Sequence, residues 1–236
     1  MMELDSTEVL AYEMQVLDRG FVRLDAAEAT DLSVVNAARV SFAVRHEEME
    51  AGDDGLIRFL MRERHGTPFE HNMFRFHVKA PLFVVREWQR HRMASYNELS
   101  GRYKKFENPE FYIPRPEHVR TQTGKPGEYT FERWQGNTKQ FIAQLERHNQ
   151  DAVDLYNYYV DNGVAKELAR IVLPVSLYTE FYYTVNARSL MNFLSLRNAP
   201  AAMYEIAEYA VALEGFFGMH MPITAEAFRA NGRQAP

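Results

Sequence analysis

Phe74-Arg75-Phe76-His77-Val78-Lys79-Ala80 runs directly into Pro81-Leu82-Phe83-Val84-Val85-Arg86-Glu87-Trp88-Gln89-Arg90-His91-Arg92, and the change of period between the halves decides the fold. In the first half, apolar residues at 74, 76, 78 and 80 alternate with polar ones at 75, 77 and 79, the pattern of a half-buried strand. Pro81 suits the first turn of a helix, where a missing N–H costs nothing, and the helix is expected from Leu82 to about His91. Upstream, Val9 to Val22 reads as strand around Gly20. Asp31 is expected to cap a short helix carrying Val34, Val35 and Ala38. A second helix is predicted from about Asp53, with Leu56, Phe59, Leu60 and Arg64 at helical spacing, stopping before Gly66. Downstream, Met93 to Pro116 has no sustained period and reads as a long loop with one short strand at Phe111–Ile113. After Lys125-Pro126-Gly127 a long helix is predicted to about Asn162, with Ile142, Leu145, Ala152, Tyr156 and Tyr159 on one stripe and Gly163 ending it. A short helix through Arg170 stops at Pro174. Leu177–Val185 reads as an aromatic-rich strand, and helices from about Ala187 and Ala202 complete a mixed α and β fold of one domain.

Composition narrows the function. The 236 residues are 46% hydrophobic, ample for a core. A net charge of −5 argues against a general nucleic-acid or membrane-surface binder, so any anionic ligand must meet a local concentration of positive charge. There is no cysteine, which excludes disulfides, thiolate metal sites and a cysteine nucleophile. Met1-Met2-Glu3-Leu4-Asp5 is acidic where a signal peptide would be basic, and no apolar run nears the roughly 18 residues that span a bilayer. The expectation is a cytoplasmic protein.

That local charge lies between Arg86 and Lys105. Arg86, Arg90, Arg92, Arg102, Lys104 and Lys105 outweigh Glu87 and Glu98 there. One reading is compensation of a helix macrodipole by basic residues at its C-terminus. The other is an anion site with bidentate arginine contacts, which better explains three consecutive cation-capable side chains, Arg90-His91-Arg92. The loop beyond adds Ser95, Asn97, Glu98, Ser100 and Gly101, either an ordinary polar loop or the donors and close backbone approach that a phosphate pocket needs.

Arg90-His91-Arg92, seven residues, then Ser100 resembles the RHR-x7-S signature of flavin-dependent thymidylate synthases. The wider text Arg90-His-Arg-Met-Ala-Ser-Tyr-Asn-Glu-Leu-Ser-Gly-Arg-Tyr103 is similar to that family almost throughout. His65-Gly-Thr-Pro-Phe-Glu-His71, Glu167-Leu-Ala-Arg-Ile-Val-Leu-Pro174 and Asn186-Ala-Arg-Ser-Leu-Met-Asn-Phe-Leu-Ser-Leu-Arg197 resemble its other segments in the right order. The resemblance covers about Ala37 to Met219. It implies an α+β chain, one domain over 1–236 with a mainly antiparallel sheet flanked by helices, the thymidylate synthase-complementing fold. It also implies the reductive methylation of dUMP to dTMP. FAD is then the cofactor, 5,10-methylenetetrahydrofolate the carbon donor and NADPH the reductant, in a homotetramer with active sites at subunit interfaces.

The site residues follow from the same resemblance. Thr67, Arg90, His91, Arg92, Glu98, Asn186, Arg188 and Asn192 resemble flavin contacts. Glu87, Trp88, Gln89, Arg90, Glu98, Leu99, Ser100, Gly101, Arg102, Arg170 and Arg197 resemble the dUMP pocket, with Ser100 and Arg102 near its phosphate. Arg197 is implied to be catalytic. Without a thiolate, C5 of the pyrimidine becomes nucleophilic only if negative charge on the ring is stabilised. A guanidinium beside N3 would lower its pKa by about one to two units. Ser100 is an unconvincing nucleophile, because no base partner is evident. The resemblance lapses at Ala201, where many members carry a histidine that helps to hold the flavin. Glu87 sits where glutamine and glutamate alternate. Read from the residues alone, Asn186 is a helix cap. Arg188 and Asn192 share one helical face, with Arg197 about half a revolution round from Arg188.

Rival readings are a histidine metallohydrolase using His65, His71, His77 and His91, with His71 and His77 on one strand face, and an inactive nucleotide- or flavin-binding homologue. No HExxH pattern joins the histidines, and no metal is expected. Neither a GxGxxG after a strand nor a Walker A pattern occurs.

Overall fold

The structure, a computed structural model, describes residues 12–125 and 128–236. Val9, Leu10 and Ala11 of the first expected strand lie outside them, as do Pro126 and Gly127. The rest of that first strand is a hairpin: β1 (Glu13–Val16) turns at Leu17 and pairs with β2 (Gly20–Glu28). β3 (Met73–Pro81) lies between β2 and β7 (Tyr178–Val185), and β4 (Ser95–Glu98) closes the far edge. All pairs are antiparallel, in the order β1-β2-β3-β7-β4.

The alternation in β3 puts Phe74, Phe76, Val78 and Ala80 in the core, each with no solvent exposure. Register aligns Phe76 with Tyr183 and Val78 with Phe181, so the buried faces of β3 and β7 coincide. Covering this face are α6 (Ala187–Arg197) and α7 (Tyr204–His220), with Phe193, Leu213, Phe216 and Phe217 fully buried. The polar face carries a chain of contacts from Arg23 to His77 (2.7 Å) and from His77 to Glu180 (3.0 Å).

Several expectations need correction. The helix α1 (Asp31–Arg39) is capped by Thr30, not Asp31: Thr30 has extended backbone, and its Oγ1 accepts from Ser33 N at 3.1 Å. Asp31 turns inward instead. Its carboxylate accepts from Ile223 N, Thr224 N and Thr224 Oγ1 at 2.9, 2.9 and 2.6 Å, capping a helix absent from the sequence reading, α8 (Pro222–Ala230). The helix after Pro81, α3 (Leu82–Trp88), ends three residues before His91. Tyr96 Oη donates to the His91 carbonyl at 2.8 Å and lies 3.2 Å from that of Trp88, taking carbonyls that a longer helix would use. The Met93–Pro116 segment is not all loop, because Ser95–Glu98 finds the free edge of β7 as β4. The expected strand at Phe111–Ile113 is reduced to one bridge, Phe111 to Leu177. His71 precedes β3 and shares no strand face with His77.

The long helix does not start after Lys125-Pro126-Gly127. A second hairpin comes first, β5 (Arg120–Thr123) with β6 (Thr130–Arg133), and only then α4 (Thr138–Asp161), capped by Asn137. Its apolar stripe is narrow: Ala152 and Tyr156 are buried, and Tyr159 is exposed. Gly163 (φ +89°) follows its end as expected. The other helices are α2 (Asp53–Arg62) and α5 (Lys166–Ala169). Among the described residues, no helix is long and apolar enough to cross a membrane.

Candidate active site

Trp88 anchors the site from below. Its ring packs 4.9 Å from that of Phe193, 5.3 Å from Phe181 and 5.5 Å from Tyr183, with no exposure. Its side chain therefore faces the core rather than a ligand, and what it contributes is the position of its neighbours. Glu87 stands on the outward side of α3, and Gln89 to Arg92 leave the helix end.

Arg197, on the last turn of α6, reaches these residues. Its Nε donates to His91 Nε2 at 3.1 Å, Nη1 to a Glu87 carboxylate oxygen at 2.9 Å, and Nη2 to the Glu87 carbonyl at 3.3 Å. A guanidinium has five N–H donors, so two remain, one on each terminal nitrogen. Arg197 lines two openings. One, of about 460 Å³, is also lined by Arg90, His91, Arg92, Tyr183 and Asn192. The other, of about 720 Å³, has Glu87, Arg120, Phe131, Phe141 and Ala201 in its wall.

His91 accepts from Arg197 at Nε2, which leaves its ring proton on Nδ1. Burial, then the Arg197 charge, pushes its pKa down to about 4, so the imidazole is neutral near pH 7. Arg90 and Arg92 are exposed and form no ion pair among the described residues. Paired macrodipole compensation accounts for neither, since both lie beyond the helix end.

The remaining candidates form separate groups. Glu98, on β4, accepts from Thr179 Oγ1 at 2.9 Å and from Gln89 Nε2 at 3.4 Å. Exposed Leu99 follows, its N–H bonded to the Glu180 carbonyl. Ser100 Oγ accepts from Arg102 N at 3.3 Å, and no base touches it. Gly101 is required by close approach: a Cβ there would stand 2.7 Å from the Phe106 ring and 3.1 Å from Arg170 Cδ. Arg102 Nε donates to the Glu167 carboxylate at 2.8 Å, and Arg170 Nε to the Glu167 carbonyl at 3.4 Å. The structure thus joins Ser100, Gly101, Arg102 and Arg170 in one cluster. Neither opening beside Arg197 includes any of them.

Asn186 caps α6, accepting from Ser189 N at 2.9 Å. Arg188 lies across Gly66, next to exposed Thr67, pairs with Glu70 and donates to the Pro236 carbonyl at 2.9 Å. Although Arg188 and Asn192 share a helix face, only Asn192 lines the smaller opening. The four histidines of the metal reading are dispersed: His65 packs on Phe59, His77 bonds Arg23 and Glu180, and His91 bonds Arg197. No group of three metal-ligating side chains converges among the described residues. Arg120 and Phe131 of the second hairpin were missed by the sequence reading. Arg120-Thr-Gln-Thr-Gly124 was the available signal, a short alternation ending in a turn residue.

The smaller opening, with Arg90, Arg92 and Arg197 around a neutral histidine on an antiparallel α+β frame, has the charge of a site for an anionic ligand. A family described as thymidylate synthase complementing protein matches residues 24–223. The flavin-dependent thymidylate synthase of Thermotoga neapolitana is 47% identical over 216 residues, spanning 92% of this chain and 94% of that one. That of Tropheryma whipplei TW08/27 is 44% identical over 229 residues, spanning 91% and 94%. Among solved structures, the UMP/dUMP methylase PolB from Streptomyces cacaoi bound with 5-Br dUMP matches with a TM-score of 0.85 at 42% identity, over 94% of this chain and 100% of that one. The chain belongs to the flavin-dependent thymidylate synthase family, and it is an enzyme of the methyltransferase class.

Proposed function

We propose that this protein methylates dUMP to dTMP in the cytoplasm, with 5,10-methylenetetrahydrofolate as carbon donor, NADPH as reductant and FAD as its resident cofactor, residues 1–236 acting as one catalytic unit. The observation that carries this reading is the held guanidinium of Arg197, with two donors left over, in a chain without cysteine. The donor set fits the flavin. Unpaired Arg90 and Arg92 suit its diphosphate, while the Asn192 amide and the neutral His91 offer hydrogen bonds without further charge. Thr67, Asn186, Arg188 and Glu98 complete the set assigned to it. When bound, the flavin supplies hydride chemistry.

The chain's own residues do the rest. Glu87 and His91 fix Arg197, whose remaining pair of N–H groups donates to the N3 edge and carbonyl of the pyrimidine and favours its anionic form. Gln89, Leu99 and the Glu98 carboxylate border the nucleotide. Ser100, Gly101, Arg102 and Arg170 take the phosphate, with Arg102 exchanging Glu167 for it. Because this cluster and Arg197 lie at different openings of one chain, a site that uses both is built between copies, which favours the homotetramer.

The test is anaerobic. The purified protein is expected to be yellow, to lose flavin absorbance with NADPH and dUMP, and to release tritium from [5-³H]dUMP when the folate is present. Arg197→Ala should abolish release and retain flavin, and Ser100→Ala should weaken dUMP binding more than it slows chemistry. Flavin binding without tritium release would mark an inactive homologue. Since PolB is described as a UMP/dUMP methylase, [5-³H]UMP is assayed alongside. Equal release from both would replace dUMP by the wider pair.

A further inference from the structure

We propose that Glu214 and Arg233 form a clamp on the last turn of α6 that aims Arg197, which makes both of them positioning residues for the reaction. The inference rests on the role given to Arg197 above and adds how that side chain is held from its backbone end. Ser195 and Asn198 flank Arg197 in the chain, and each is tied to one member of the pair, Ser195 to Arg233 and Asn198 to Glu214. Ser195 Oγ lies 2.6 Å from the carbonyl of Arg233 and 2.8 Å from that of Met191. Asn198, the C-cap of α6, donates its N–H to the Leu194 carbonyl and its Nδ2 to Glu214 Oε2 at 2.6 Å. Glu214 stands on α7 and is 7% exposed. Arg233 closes the circuit: its Nε and Nη2 donate to the two Glu214 carboxylate oxygens at 3.2 Å each, and Arg229 Nη1 stands 3.6 Å from one of them.

Two features separate this arrangement from ordinary packing. Arg233 has φ +53°, the left-handed region that non-glycine residues avoid, and its carbonyl and guanidinium are both engaged on the clamp. Beyond Asn198 the chain reads Ala199-Pro200-Ala201-Ala202, with no polar side chain to tether it. Asn198 is therefore the last side-chain anchor before α7. A buried carboxylate with a bidentate arginine fixes geometry more tightly than a single bond does. The guanidinium end of Arg197 is held by Glu87 and His91, and the backbone end by this clamp.

The experiment is single-turnover tritium release from [5-³H]dUMP by the FAD-loaded protein, with KM for dUMP and flavin absorbance read in parallel. Asn198→Ala and Arg233→Met should each slow release about tenfold, with KM within about twofold and the flavin spectrum unchanged, because small misplacement of a reacting group costs rate. On an Arg197→Lys background neither should slow release further, and Asn198→Gln should recover part of the rate. Both substitutions act on half-exposed or exposed groups, so neither depends on whether Glu214→Leu folds. Wild-type release in Asn198→Ala and Arg233→Met, with Arg197→Lys strongly impaired, overturns the clamp and leaves the role of Arg197 standing. A tenfold loss that persists in full on the Arg197→Lys background also overturns it. If Arg197→Lys releases tritium at the wild-type rate, the reading of Arg197 fails and the clamp falls with it.

Discussion

Arg197 commits three of its five donors to protein partners, and the identity of those partners sets what the other two can do. Glu87 offsets part of its charge, whereas His91 adds none, because burial and then the neighbouring guanidinium hold the imidazole neutral. The His91 value of about 4 lies below the ordinary 6.5, so the unfolded chain takes up its proton first as pH falls. The Arg197–His91 bond should therefore persist down to about pH 4, while this histidine withdraws stability progressively between 6.5 and 4. Proton NMR of the imidazole checks this, with an expected midpoint near 4. A midpoint near 6.5 would show a solvated ring that does not accept from Arg197.

At the scale of elements, one carboxylate joins distant ends of the chain. Asp31 opens α1, yet its three bonds cap α8, whose first N–H groups would otherwise be buried without acceptors. Asp31→Ala should lower stability by about 2–3 kcal/mol in denaturant titration, and Asp31→Asn by less. Little or no loss in the alanine variant would mean that water serves those donors. The same residue shows what the sequence makes legible. Asp31 and Thr30 are both good caps, and only the tertiary position of Thr224 decides between them. Strand β3 declares itself through alternation over seven residues, β7 through its aromatic-rich run, and α6 through its cap at Asn186. Strand β4 has only four residues, and its pairing depends on the free edge of β7, so Ser95-Tyr-Asn-Glu98 carries no local signal. The β5–β6 hairpin pairs only with itself, and its four-residue strands leave a weak signal, the short alternation ending at Gly124. The cationic text at Arg90–Arg92 and the grouping of Arg197 with Glu87 and His91 were readable from motif. The contacts of Arg120 with Glu205 and of Glu214 with Asn198 were not, because each joins separate elements.

Across the whole molecule, acid should undo the fold in part through Asp53. Burial alone would raise this carboxyl, but the Glu50 N–H and the Arg39 and His46 side chains overcome it and bring the value down to about 2 from 3.8. A depressed folded value stabilises above the unfolded one, so the contribution, about 2 kcal/mol, is complete above about pH 4 and fades as pH falls through 2. In Asp53→Asn the acid limb of the stability curve should flatten over that window. An unchanged limb would place the acid sensitivity elsewhere.

In the proposed function, the fixed guanidinium of Arg197 has one chemical task, to make the pyrimidine nucleophilic. Ionisation at N3 of 5-Br dUMP bound to the flavin-loaded protein, followed by ultraviolet difference absorbance across pH, measures it directly. The expected result is an N3 pKa about one to two units below that of the free nucleotide, returning to the free value in Arg197→Ala. A bound value equal to the free one, or the same lowering without the guanidinium, would contradict this account.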